Sequence, residues 1–104
     1  MRSVIATAAF VASLLAGAAA AQAQQAAPIP GSVLAATCSG CHGPAGRSVA
    51  EIPPINGRTE QQLLSAMLDF KNDRRPATVM NRHAKGFSDD ELAAIAREIS
   101  ANWR

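Results

Sequence analysis

Cys38-Ser39-Gly40-Cys41-His42 sets two thiols three residues apart with an imidazole directly after the second, the spacing used to attach a c-type haem. The two sulfurs can form thioether bonds to the vinyl groups of the macrocycle. His42 then falls where a single helical turn delivers its ring to the iron as proximal ligand. One covalently attached haem c, held by Cys38, Cys41 and His42, is therefore the expected cofactor. A structural disulfide, a thioredoxin-like redox pair and half of a zinc site are the competing chemistries for the two cysteines. The chain has only two cysteines and two histidines, and His83 lies at no finger-like spacing from the motif, which weakens zinc. No strand precedes the motif, which weakens the thioredoxin-like pair.

An attached haem needs an opposite ligand, and two residues compete for that role. Met80 lies in an irregular stretch, Asn72 to Gly86, entered through Arg74-Arg75-Pro76, where no helical stripe gives it a packing role. A thioether there would raise the potential of a His-ligated haem. His83, three residues on, would give bis-imidazole ligation and a lower potential. Met80 is taken ahead of it as the distal iron ligand. Met67 lies on an apolar helical stripe and reads as core.

The elements that position these residues can be read in order. Ser32 is expected to cap a first helix with Val33, Leu34, Thr37 and Cys38 on one side. Gly43-Pro44-Ala45-Gly46 should stop that helix in a turn close to the haem edge. Ile52-Pro53-Pro54-Ile55-Asn56-Gly57 cannot be helical and reads as an extended loop. Proximal imidazoles usually donate their second ring N–H to a carbonyl, and Pro53 is assigned that role, although a loop merely stiffened by prolines reads equally well. Thr59 with Gln62 caps a second helix bearing Leu63, Leu64, Met67, Leu68 and Lys71 on one face. Ser88 with Glu91 caps a last helix with Leu92, Ile95, Ala96 and Ile99 buried, and Trp103 is expected to continue that stripe and pack on the first helix.

Residues 1–23 read as a cleaved secretory signal: Arg2, an apolar run from Val4 to Ala21, and the small-x-small site Ala21-Gln22-Ala23. Ala19-Ala20-Ala21 is a second possible site, and an uncleaved membrane anchor is the alternative. Residues 24–31 form a flexible tail and residues 32–104 a single domain. The mature form is then not membrane-spanning, and haem attachment takes place in the periplasm. The chain carries ten basic and eight acidic residues; without Arg2 it is nearly neutral, which argues against nucleic acid as a partner. So small a domain usually recruits a cofactor to complete its core.

The order of helix with Cys38-Ser39-Gly40-Cys41-His42, Pro53-x-Ile55-x-Gly57 loop, middle helix, Met80 loop and C-terminal helix resembles the class I cytochrome c fold. That resemblance implies an all-α domain of about three main helices round one haem, with first and last helices crossing. It also implies that the Pro53 carbonyl accepts from His42 and that Met80 sulfur completes the coordination. The run from Phe70-Lys71 through Arg75-Pro76 and Met80 to Ala84-Lys85-Gly86-Phe87 is similar to the distal-ligand segment in cytochrome subunits of flavocytochrome c sulfide dehydrogenase. His83 stands where that family more often has an apolar residue. The resemblance implies a non-enzymatic electron-transfer subunit that accepts electrons from an FAD-containing flavoprotein. A free monohaem carrier serving a terminal oxidase or reductase is the alternative, and an open-site ligand-binding or peroxidatic haem a more distant one. Lys71, Arg74, Arg75, Arg82 and Lys85 could steer an acidic partner, unless Asp69, Asp73, Asp89 and Asp90 offset them.

Overall fold

The computed structural model describes residues 26–104, so the expected signal segment lies outside the described residues. The fold is all-helical. Helix α1 spans Gly31–Ala36, α2 Ser39–His42, α3 Glu60–Lys71, α4 Met80–Lys85 and α5 Asp89–Asn102, and a single 3₁₀ turn at Pro44–Gly46 follows α2. No helix among the described residues is long and apolar enough to cross a membrane.

The first helix starts two residues earlier than its sequence suggests, and Ser32 is not its cap. Pro30 stands at that position, and its carbonyl accepts from the amides of both Val33 and Leu34 at 3.0 and 3.1 Å. A proline with φ already near the helical value can open a helix without any side-chain cap. The buried face is correspondingly displaced. Leu34 and Ala35 are buried and Cys38 packs beside them, whereas Val33 is 58% exposed and Thr37 lies at the surface. Thr37 turns its hydroxyl back to the Leu34 carbonyl at 2.7 Å. Such back-bonding bends a helix, and the chain divides here into α1 and α2 rather than forming one rod.

Both expected capping boxes are present. Thr59 and Gln62 exchange bonds of 3.1 Å in each direction at the start of α3, and Ser88 and Glu91 do the same at 3.1 and 2.8 Å at the start of α5. Asp89, Asp90 and Glu91 also place negative charge in the first turn of α5, where the helix dipole favours it.

The core is small. Leu34 and Ala35 of α1, Leu63 of α3, and Leu92, Ile95, Ala96 and Ile99 of α5 form one buried cluster, with Cys38, Ile55, Leu64, Met67, Leu68, Phe87 and Trp103 only partly covered around it. α1 and α5 cross closely, since a Cβ placed on Gly31 would lie 2.6 Å from the Ala94 carbonyl oxygen. α5 thus packs against both α1 and α3, while α4 rests on α3. Ile95 is 1% exposed at the centre of this cluster. Ile95→Ala is expected to cost about 2–5 kcal/mol, the range for truncating a buried aliphatic side chain, measured by chemical denaturation.

Trp103 does not extend α5. The backbone leaves the helix after Asn102, and Trp103 is extended at φ −102° and ψ 92°. Its ring lies over Gly46, where a Cβ would come within 2.9 Å of Cε3, and its carbonyl accepts from Gly57 at 3.1 Å. The C-terminus is therefore tied to the turn and loop that follow the motif.

Candidate haem site

Cys38 and Cys41 lie on either side of one turn of backbone. The His42 amide bonds the Cys38 carbonyl at 3.0 Å, which makes Cys38-to-His42 a helical turn. Both cysteines are free, Cys38 half-buried and Cys41 exposed. Burial pushes the Cys38 thiol above its ordinary pKa, partly opposed by a hydrogen bond involving Thr37. Among the described residues, no group of three or more His, Cys, Asp or Glu side chains converges as a metal cluster would require. The two cysteines therefore have no zinc-like partners there.

His42, 8% exposed, is a buried polar side chain among the described residues. Its Nδ1 lies 2.6 Å from the Pro53 carbonyl oxygen. A carbonyl can only accept, so Nδ1 carries the proton and donates. In the neutral ring this tautomer keeps the lone pair on Nε2, the form in which an imidazole binds iron. The Pro53 carbonyl is itself held by a chain of contacts. The Gly46 carbonyl accepts from Ile55 at 2.9 Å and Asn56 at 3.4 Å, which pins the proline loop beside the turn after the motif. Gly46 has φ +69°, and a Cβ there would sit 2.7 Å from Ile55 Cγ1. Only glycine meets both the left-handed backbone and the close approach.

Met80 is half-buried, as the first residue of α4 and not in an irregular loop. Met80–Lys85 forms a helix whose sole buried residue is Ala84, so it has no apolar stripe for periodicity to detect. His83, one turn further along α4, is exposed. Met67 is half-buried against the core cluster, as expected of a packing residue.

Two features of this region had no clear signal in the sequence. Asn81 Oδ1 is buried with no hydrogen-bond partner, directly after Met80. Lys71, read from sequence as one member of a helical face, has its Nζ bonded to the Phe87 carbonyl and to Asp89 Oδ1, each at 2.7 Å.

The family model for Cytochrome c matches residues 29–97, from the approach to α1 into α5. The chain belongs to the cytochrome c family. Among curated relatives, the cytochrome subunit of sulfide dehydrogenase from Chlorobaculum tepidum is 46% identical over 66 residues, covering 64% of this chain and 60% of that protein. The thiosulfate dehydrogenase electron acceptor of Stutzerimonas stutzeri is 39% identical over 69 residues, 62% of this chain and 32% of that protein. Cytochrome c4 of Pseudomonas aeruginosa is 39% identical over 67 residues, 64% of this chain and 33% of that protein. The chain thus spans three fifths of the first relative and about a third of the other two.

Covalently bound haem c is the cofactor of this family. The residues present fit that group. The buried Asn81 amide oxygen has no protein partner, and a buried polar group of this kind is ordinarily satisfied by a ligand or its ordered water. The ring of half-covered apolar side chains, Leu64, Met67, Leu68 and Phe87 among them, leaves apolar surface that a large flat macrocycle would cover. The donor set is also the right one: an imidazole nitrogen with its lone pair free, and a thioether, the soft ligand that suits haem iron.

Three of the five basic residues round the distal segment are paired with aspartates. Lys71 pairs with Asp89 at 2.7 Å, Arg74 with Asp69 at 2.9 Å and Lys85 with Asp73 at 2.6 Å, and Arg75 lies over the Phe70 ring at 5.0 Å. The offsetting role foreseen for the aspartates is realised in three of these pairs. Electron exchange with an acidic partner is accordingly expected to change by less than about threefold between 0.02 and 0.2 M salt, measured by stopped flow, because paired charges project little field beyond a Debye length.

Proposed function

We propose that this protein is the periplasmic cytochrome subunit of a flavocytochrome c sulfide dehydrogenase, accepting single electrons from an FAD-containing partner through a low-spin His/Met haem. The observation that carries the ligand assignment is the His42–Pro53 bond of 2.6 Å, next to two free cysteines on the same helical turn. Haem, when bound, supplies reversible one-electron chemistry at iron. The chain's own residues do the rest. Cys38 and Cys41 would hold the group covalently, and the Pro53 carbonyl keeps the proton on Nδ1, so that His42 Nε2 would be the atom offered to the metal. Met80 would supply a thioether as the second protein ligand, which would leave no open position for a substrate. Leu64, Met67, Leu68 and Phe87 exclude water, which limits reorganisation on electron transfer.

The assignment to a sulfide dehydrogenase rests on the 46% identity to a relative of that name. A free periplasmic carrier is the second reading, favoured by the 39% identity to a relative named as an electron acceptor of thiosulfate dehydrogenase. Purification from periplasm under mild salt decides between them: a stoichiometric flavoprotein supports the first, a lone small cytochrome the second. Haem attachment has its own test. Wild-type chain is expected to retain haem staining through a denaturing gel at one haem per chain. Cys38→Ala with Cys41→Ala should lose that staining completely, and retention of the stain in the double variant would overturn the thioether assignment.

A further inference from the structure

Lys71 and Lys85 belong to the Phe-Lys and Ala-Lys-Gly-aromatic runs noted in the sequence, yet neither has a part in the site described above. The structure gives the first of them a place. Lys71 is the last residue of α3, and its ammonium donates to the Phe87 carbonyl, in the connection between α4 and α5, and to Asp89 in the first turn of α5. One side chain therefore joins the ends of three elements. Its side chain is 24% exposed and its bond to the Phe87 carbonyl is partly buried, whereas Asp89, 75% exposed, leaves the second bond as open to solvent as the Lys85–Asp73 pair, 49% and 60% exposed.

α4 is the element with most to gain from such a tie. Six residues are too few for an autonomous helix, only Ala84 of its side chains is buried, and Met80 is its first residue. A segment with so little buried surface opens locally before the rest of the domain unfolds. Its C-terminal end runs through Gly86, whose amide bonds His83 at 3.0 Å, and Phe87, whose amide bonds Ala84 at 3.3 Å. Fixing the Phe87 carbonyl fixes that end.

We infer that Lys71 is a positioning residue for the distal ligand: by tying the Phe87 carbonyl and Asp89 to the end of α3, it holds α4 where Met80 reaches the iron. This rests on the proposed Met80 ligation. The test follows two signals in one heated sample of ferric holoprotein, the methionine-to-iron charge-transfer band and the helical circular dichroism. In wild type the two should be lost together. In Lys71→Leu the band should disappear at a lower temperature than the helical signal, and Lys71→Arg, which keeps donors and charge, should close the gap. Should Lys71→Leu fail to accumulate, Asp89→Asn, which leaves the Phe87 bond in place, should show a smaller gap in the same direction. Band and helical signal falling in parallel in these variants, or neither moving, would make Lys71 an ordinary stabilising residue and overturn the inference. A wild type without the band would overturn the Met80 ligation itself, and the inference with it, and is thereby distinguishable.

Discussion

Met80→Ala is expected to abolish the methionine-to-iron charge-transfer band and to lower the reduction potential by a substantial part of the roughly 0.8 V that axial ligands span in haem proteins. The reason is the softness of the thioether, which stabilises ferrous over ferric iron relative to nitrogen or oxygen donors. The structure provides two internal controls. Met67 packs half-buried against the core cluster, so Met67→Ala should cost about 2 kcal/mol, the low end for such a truncation, and leave the band in place. His83 is exposed on α4, one turn beyond Met80, so His83→Ala should also leave the band. Should Met80→Ala leave the spectrum unchanged, the ligand is another residue, and His83 is then the first candidate. Optical spectroscopy of the ferric protein and a redox titration read all three variants.

The parts of this molecule that sequence reasoning reached best are those coded locally. Both capping boxes follow from residue types three apart, Thr59 with Gln62 and Ser88 with Glu91, and the buried stripe of α5 follows from 3.6-residue periodicity. The crossing of first and last helices and the all-helical class were also legible, through resemblance to a family. What was missed depends on tertiary contact or on weak local signals. Ser32 is a better cap by type than Pro30, but the fixed φ of proline and its well-placed carbonyl begin the helix two residues earlier. α4 offers no apolar stripe, because Ala84 alone carries its packing, so it read as loop. Lys71 looked like one charge in a basic cluster. Its acceptors, Phe87 and Asp89, lie 16 and 18 residues away, beyond any local pattern. The Pro53 role was a choice between two equal readings of a proline pair, and the proximity of its carbonyl to Nδ1 is a property of the folded loop.

Gly31→Val is expected to destabilise the holoprotein by about 1–3 kcal/mol, the usual cost of forcing extra atoms into a closed contact, even though valine is the better helix former of the two. The Gly31 site differs from Gly46. At Gly46 the backbone itself requires glycine, at φ +69°, and the two nearest atoms to an added Cβ belong to the side chains of Ile55 and Trp103. At Gly31 the nearest atoms are the Ala94 carbonyl oxygen at 2.6 Å and its carbon at 3.1 Å, backbone of α5 that cannot yield without moving the helix. α1 would have to lift from α5, opening the contact of Leu34 and Ala35 with the buried α5 stripe. Because α1 leads through the Thr37 bend into Cys38-Ser39-Gly40-Cys41-His42, the same displacement carries the motif with it. The covalent thioethers would keep haem attached through this change, so loss should appear in the denaturation midpoint and in the His42-side spectrum, and not in haem content. Unchanged stability in Gly31→Val would show that the two helices are free to separate at this point, and that the crossing is not what sets the position of the motif.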